Sequence, residues 1–134
     1  MLGRKVFVPK GYAERECVLV EYWLPGLPNC YVLCHERSEG HLSVQERAEL
    51  LQFFYIQAQH LALAATNDPE AFLLIHSGVS LSKRPNFHFH VFVIRSRWQK
   101  ALAYSYLGAK NLSQVCELGV KAMFSKQTRQ TKKV

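Results

Sequence analysis

Residues 84–97 read RPNFHFHVFVIRSR, and their alternation decides how the rest of the chain is understood. On an extended strand successive side chains point to opposite faces, so Asn86, His88, His90 and Phe92 share one side while Phe87, Phe89, Val91 and Val93 share the other. The second set is wholly apolar and predicts the core side. The first set therefore faces a cleft, solvent or a partner, and it carries two imidazoles two residues apart.

Outward from this strand the pattern is α+β. Upstream, EAFLLIHSG is a second strand-like run, joined to the histidine strand by a loop containing Lys83 and Arg84. Before it, SVQERAELLQFFYIQAQHLALAA carries the clearest helix signal. Ser43 and Glu46 match the S-x-x-E capping box, and Leu50, Phe53, Phe54, Ile56, Leu61 and Leu63 recur near helical spacing. The helix is expected to end near Ala65, before Asn67, Asp68 and Pro69. Farther upstream, RECVLVEYWLP and NCYVLCHE read as a pair of antiparallel strands, with a turn over Pro25 to Pro28. Downstream, residues 97–124 read as helix in two pieces broken near Gly108, with Ser113 an N-cap for the second. The order strand, strand, long helix, strand, strand, helical segment predicts an antiparallel sheet covered on one face by helix.

A chain of 134 residues with 49% apolar and 20% charged residues suits one globular domain, here drawn over residues 1–124. Residues 125–134 hold Lys126, Arg129, Lys132 and Lys133 with no acid, and read as a basic, solvated and flexible tail. No apolar run approaches the ~20 residues of a membrane span, and the first sixteen residues lack a signal-peptide block, so a cytoplasmic protein is expected. Cys17, Cys30, Cys34 and Cys116 have no CxxC spacing and read as reduced, structural thiols. The net charge of +7 favours an anionic partner without choosing between nucleotide, nucleic acid and acidic protein.

Two imidazoles on one face admit three kinds of chemistry. They can be a hydrogen-bonded pair on a half-exposed sheet. They can clip a metal, since imidazole is a common ligand, with His76, His41 or His35 completing the set, although no carboxylate motif supports it. Or one imidazole is a nucleophile toward phosphorus and its neighbour stabilises the anion, with Lys83 and Arg84 adding phosphate attraction.

The run Asn86-Phe87-His88-Phe89-His90-Val91-Phe92 resembles the signature of the histidine triad (HIT) superfamily of nucleotide hydrolases and nucleotidyl transferases, in which three histidines alternate with apolar residues. Ile75-His76-Ser77-Gly78 is similar to the family's strand ending in Asn-Glu-Gly, with the asparagine replaced by His76. PGLPNCYVLCHERSEGHLS resembles its Pro-x-x-Pro turn, following strand and helix-preceding histidine, here His41. The likeness spans residues 15 to 124. It implies a HIT-like fold, with His88 as nucleophile and His90 as its phosphate-side partner. Asn86, His76, His41, Lys83 and Gly78 would lie around the phosphate. The implied reaction attacks the α-phosphorus of a nucleoside phosphoester, phosphoanhydride or phosphoramidate through a covalent nucleotidyl-histidine, with no metal or cofactor required. A homodimer is also implied.

Two departures shape the alternative. Asn86 replaces the first histidine and cannot gain a proton. Tyr22 stands where the family places a ribose-binding carboxylate, and Glu21, one residue earlier, is expected on the opposite face. The alternative is a catalytically degenerate HIT-like domain that binds nucleotide, or nucleic acid through its basic tail.

Overall fold

The computed structural model describes residues 2–78 and 84–131. Five strands, β1 (Leu2–Phe7), β2 (Cys17–Leu24), β3 (Leu27–Ser38), β4 (Phe72–Ile75) and β5 (Asn86–Val93), form one antiparallel sheet in the order β1-β2-β3-β5-β4. Helix α1 (Val44–Thr66) lies between β3 and β4 in the chain, and α2 (Arg97–Thr131) follows β5. The architecture is α+β. The chain divides into two compact units, residues 1–100 and 101–134, and the sheet, α1 and the histidine pair all belong to the first. Among the described residues no helix is long and apolar enough to cross a membrane.

Each element has a local cause. At the start of α1 the Ser43 hydroxyl accepts from the Glu46 backbone N–H at 3.1 Å, and the Glu46 carboxylate accepts from the Ser43 N–H at 2.7 Å. That reciprocal pair satisfies two backbone donors that a helix start otherwise leaves open. Asn67 ends the helix in the left-handed conformation, φ 59°, and its N–H returns to the Leu63 carbonyl. The β2–β3 turn is tighter than the sequence suggests. Leu24 pairs with Leu27, so only Pro25 and Gly26 lie between the last paired residues, and Gly26 supplies the positive φ of 81° that so short a connection demands. Pro28 consequently falls inside β3.

The alternation expected for β5 holds from Asn86 to Val91, with Phe87, Phe89 and Val91 buried and Asn86, His88 and His90 half-buried, but Phe92 on the histidine face is buried as well as Val93. The apolar face joins Cys17 and Leu19 of β2, Leu33 of β3 and the Leu50, Phe53, Phe54 and Ala58 stripe of α1 in one core. Phe54 is fully buried and meets Phe53, Phe87 and Phe89 with ring centroids 5.6–6.0 Å apart. The inward stripe of α1 follows i, i+4 spacing through Leu50, Phe54, Ala58 and Ala62, which leaves Ile56 and Leu63 40% and 46% exposed.

Two further differences concern the ends of the chain. β1, exposed along its whole length, is an additional edge strand. And α2 runs through Gly108 without the expected break. A helical glycine costs only about 1 kcal/mol relative to alanine, and no proline interrupts residues 97–131.

Candidate functional site

The site is the face of β5 that points away from α1. Cross-strand partners share a face, and the register pairs His88 with Cys34, His90 with Val32 on β3 and Ile75 on β4, and Phe92 with Cys30. The two imidazoles thus lie among Cys30, Val32, Cys34 and Ile75, with ring centroids 5.4 Å apart at 78°, and His90 lies 6.5 Å from Phe92.

The His88 tautomer follows from its partner. Its Nδ1 lies 2.7 Å from the backbone carbonyl oxygen of Asn86. A carbonyl only accepts, so Nδ1 must carry the hydrogen, and in the neutral ring Nε2 keeps its lone pair. A nucleophilic or ligating imidazole needs that state.

Asn86 holds this arrangement in place. Its side-chain Nδ2 donates to the backbone carbonyls of Glu36 at 2.6 Å and His35 at 3.2 Å. These bonds bridge the irregular stretch where the β3–β5 register shifts between Cys34 and Ser38. Nearby, the Glu39 N–H donates to the Pro85 carbonyl at 2.6 Å, which ties the start of β5 a second time. Both amide hydrogens of Asn86 are thus aimed at backbone carbonyls, so its observed role is structural rather than phosphate contact.

His76 occupies the other side of the sheet. It stacks on Phe89, with centroids 4.4 Å apart at 16°, and lies 5.0 Å from Phe87, both core-facing residues. Its Nδ1 lies 2.8 Å from the His88 carbonyl oxygen, and its Nε2 lies 3.6 Å from Glu39 Oε1. The structure thus ties His76 to the backbone of His88 rather than grouping its ring with the imidazole. His41 is exposed at the end of the short helical turn Glu39–His41, and no hydrogen bond, ion pair or ring contact among the described residues joins it to His88. Around Gly78 a methyl group would meet open space, so no steric demand for glycine is visible there. Lys83 lies outside the described residues.

Arg84 is electrostatically close to the site. Burial raises the Cys34 thiol above its ordinary value and the Arg84 charge opposes that rise, which places positive potential beside the residue paired with His88. Glu21 pairs with Tyr31, which pairs with Val91, so it lies on the α1 face as the alternation predicts. Tyr22, paired with Cys30, is buried on the histidine face. Burial pushes the Tyr22 phenol well above its usual range, so it stays a neutral group. Among the described residues no three His, Cys, Asp or Glu side chains are placed to hold a metal ion.

Two contributors are invisible in the sequence. Glu39 lies between β3 and α1 where no pattern marks it, and the clamping role of Asn86 requires the irregularity in β3 that supplies its carbonyl partners. The chain matches no protein-family model, no curated protein and no solved structure.

Proposed function

We propose that the chain is a HIT-like nucleotide phosphohydrolase or nucleotidyl transferase in which His88 Nε2 attacks the α-phosphorus of a nucleoside phosphoester, phosphoanhydride or phosphoramidate. The single observation that carries this reading is the 2.7 Å contact between His88 Nδ1 and the Asn86 carbonyl, because it leaves the Nε2 lone pair available. As the N–P bond forms, the bond from phosphorus to the leaving group breaks, and the leaving group departs with the electron pair and takes a proton from solvent. Water then attacks the nucleotidyl-histidine, releasing the nucleotide and restoring the imidazole. His90, beside His88 on the same face, hydrogen-bonds the non-bridging oxygens, and Arg84 supplies positive charge. The test is turnover of adenosine phosphoramidate and dinucleoside polyphosphates by the wild type and by His88→Ala. Turnover lost in the variant is expected, and equal turnover in both, or none in either, overturns the reading.

A second reading is favoured by one observation: the Asn86 amide is committed to two backbone carbonyls and offers no proton to a leaving group. On that reading the domain binds nucleotide, or nucleic acid through its basic tail, without turnover. Nucleic-acid affinity would then fall steeply with salt, and a flat profile would argue against it.

The resemblance also implies a homodimer, and Leu51, Tyr55, Ile56 and Leu63, exposed on α1, offer apolar surface for one. A monomeric mass by sedimentation at micromolar concentration would remove that element.

A further inference from the structure

Behind the histidine strand, on the α1 side of the sheet, sits a buried carboxylate that the proposed reaction does not use. Glu39 is only 5% exposed, and its Oε2 is buried without a hydrogen-bond partner. Its Oε1 faces His76 Nε2 at 3.6 Å and the Arg47 guanidinium, through Nη1, at 3.9 Å. A buried carboxylate with an orphan oxygen is costly unless nearby charge compensates it.

The protonation of His76 is constrained from both ends of its ring. Nδ1 lies 2.8 Å from the His88 carbonyl, an acceptor only, so Nδ1 bears a hydrogen. If the ring were neutral and Glu39 ionised, Nε2 would then present a lone pair to a carboxylate, which also only accepts. A second hydrogen on Nε2 removes that conflict and supplies Glu39 with a counter-charge. The ring's packing agrees, because His76 lies flat on Phe89 at 4.4 Å and beside Phe87 at 5.0 Å, and aromatic faces favour a cation.

We propose that Glu39 holds His76 as an imidazolium, and that the pair positions the nucleophile strand by donating a charge-assisted hydrogen bond to the His88 carbonyl. Strand β4 ends at Ile75, paired with His90, and the ring of the next residue replaces the backbone donor that a longer strand would have offered to β5. Charge strengthens that bond relative to a neutral one. His88 is thereby fixed through backbone and ring: its own carbonyl is held by His76, and its Nδ1 is held by the Asn86 carbonyl. Glu39 and His76 are positioning residues, since neither side chain lies on the face where the His88 ring projects. The consequence for rate rests on His88 being the nucleophile, whereas the charge on His76 does not.

The experiment separates the two. Two-bond 1H–15N spectra of the full, uniformly 15N-labelled chain near neutral pH read the protonation of each ring nitrogen, with the His76 signals identified by their loss in His76→Asn. Wild type is expected to show both His76 nitrogens protonated, and Glu39→Gln to show a neutral ring protonated at Nδ1 alone. A neutral His76 in the wild type overturns the proposal, and that spectrum decides even if Glu39→Gln does not fold. A charged His76 in folded Glu39→Gln also overturns it. With adenosine phosphoramidate as probe, Glu39→Gln and His76→Asn are expected to lower kcat about tenfold with KM unchanged. A change in KM alone would contradict a positioning role. Wild type without turnover but with a charged His76 defeats the nucleotidyl-transfer reading and leaves the pair standing, and the converse result defeats the pair alone.

Discussion

Replacing Asn86 by aspartate tests the link between fold and site. The wild-type amide donates to the Glu36 and His35 carbonyls at 2.6 and 3.2 Å. Asn86→Ala deletes two donated hydrogen bonds, each with a net worth of about 1 kcal/mol, so a loss of about 2 kcal/mol is expected. Asn86→Asp deletes the same bonds and adds two contacts between a carboxylate and carbonyl oxygens, so it must cost more than the alanine variant. For an m-value of about 2 kcal/mol/M, the alanine change lowers the urea midpoint by about 1 M and the aspartate change lowers it further. Acidification supplies an internal control. Below an ordinary aspartate pKa of about 3.9 the introduced carboxyl regains one donor, and the gap between the two variants should narrow. The same displacement frees the carbonyl that holds His88 Nδ1, so the ring's nitrogen spectrum should change from a single tautomer to a mixture. Urea unfolding at pH 7 and near pH 3.5, with 15N spectra of His88, measures both effects. An aspartate variant as stable as wild type, or more stable than the alanine variant, would refute the clamp.

Phe54→Ala opens a cavity where Phe53, Phe87 and Phe89 meet, and a loss of about 3–5 kcal/mol is expected in denaturant unfolding. Ser43→Ala removes the α1 cap at a cost of about 1 kcal/mol, visible as a lower thermal midpoint. Hydrogen bonds from Ser43, with a smaller contribution from the Arg37 charge, hold the Glu46 carboxyl below its ordinary 4.5. Its folded pKa is depressed, so its stabilisation is present above about 4.5 and is lost as pH falls through the lower folded value. Glu46→Gln should therefore be less stable than wild type at neutral pH and indistinguishable from it in acid. Burial pushes the Cys17 and Cys30 thiols up to about 12 and about 11, so a thiol reagent at pH 8 should label exposed Cys116 rapidly and leave those two until the chain unfolds.

What the sequence disclosed and what it hid have physical reasons. The α1 boundaries were legible because caps are local: Ser43, Glu46 and Asn67 act within four residues of their partners. The faces of β5 were legible because one face is wholly apolar. β1 was not, because LGRKVF is exposed along its length and so carries no alternation. Its Gly3 is held at φ 60° beneath the Trp23 ring, where the register shifts. Gly108 misled because glycine weakens a helix without stopping it. In the site, period-2 spacing placed His88 and His90 together, since that relation is built into one strand. The positions of His76, Glu39 and the Asn86 amide depend on how β3, β4 and β5 register across long stretches of chain, and no spacing within one segment encodes that.

The most direct measurement is a search for the covalent intermediate. The chain is mixed with adenosine phosphoramidate, quenched during turnover at alkaline pH to preserve a phosphoramidate bond, digested, and the peptides are mapped by mass spectrometry. An adenylyl group on His88, absent from His88→Ala and removed by longer incubation in water, is the predicted result. Turnover with no adduct on His88, or an adduct on a different residue that persists in His88→Ala, would contradict it.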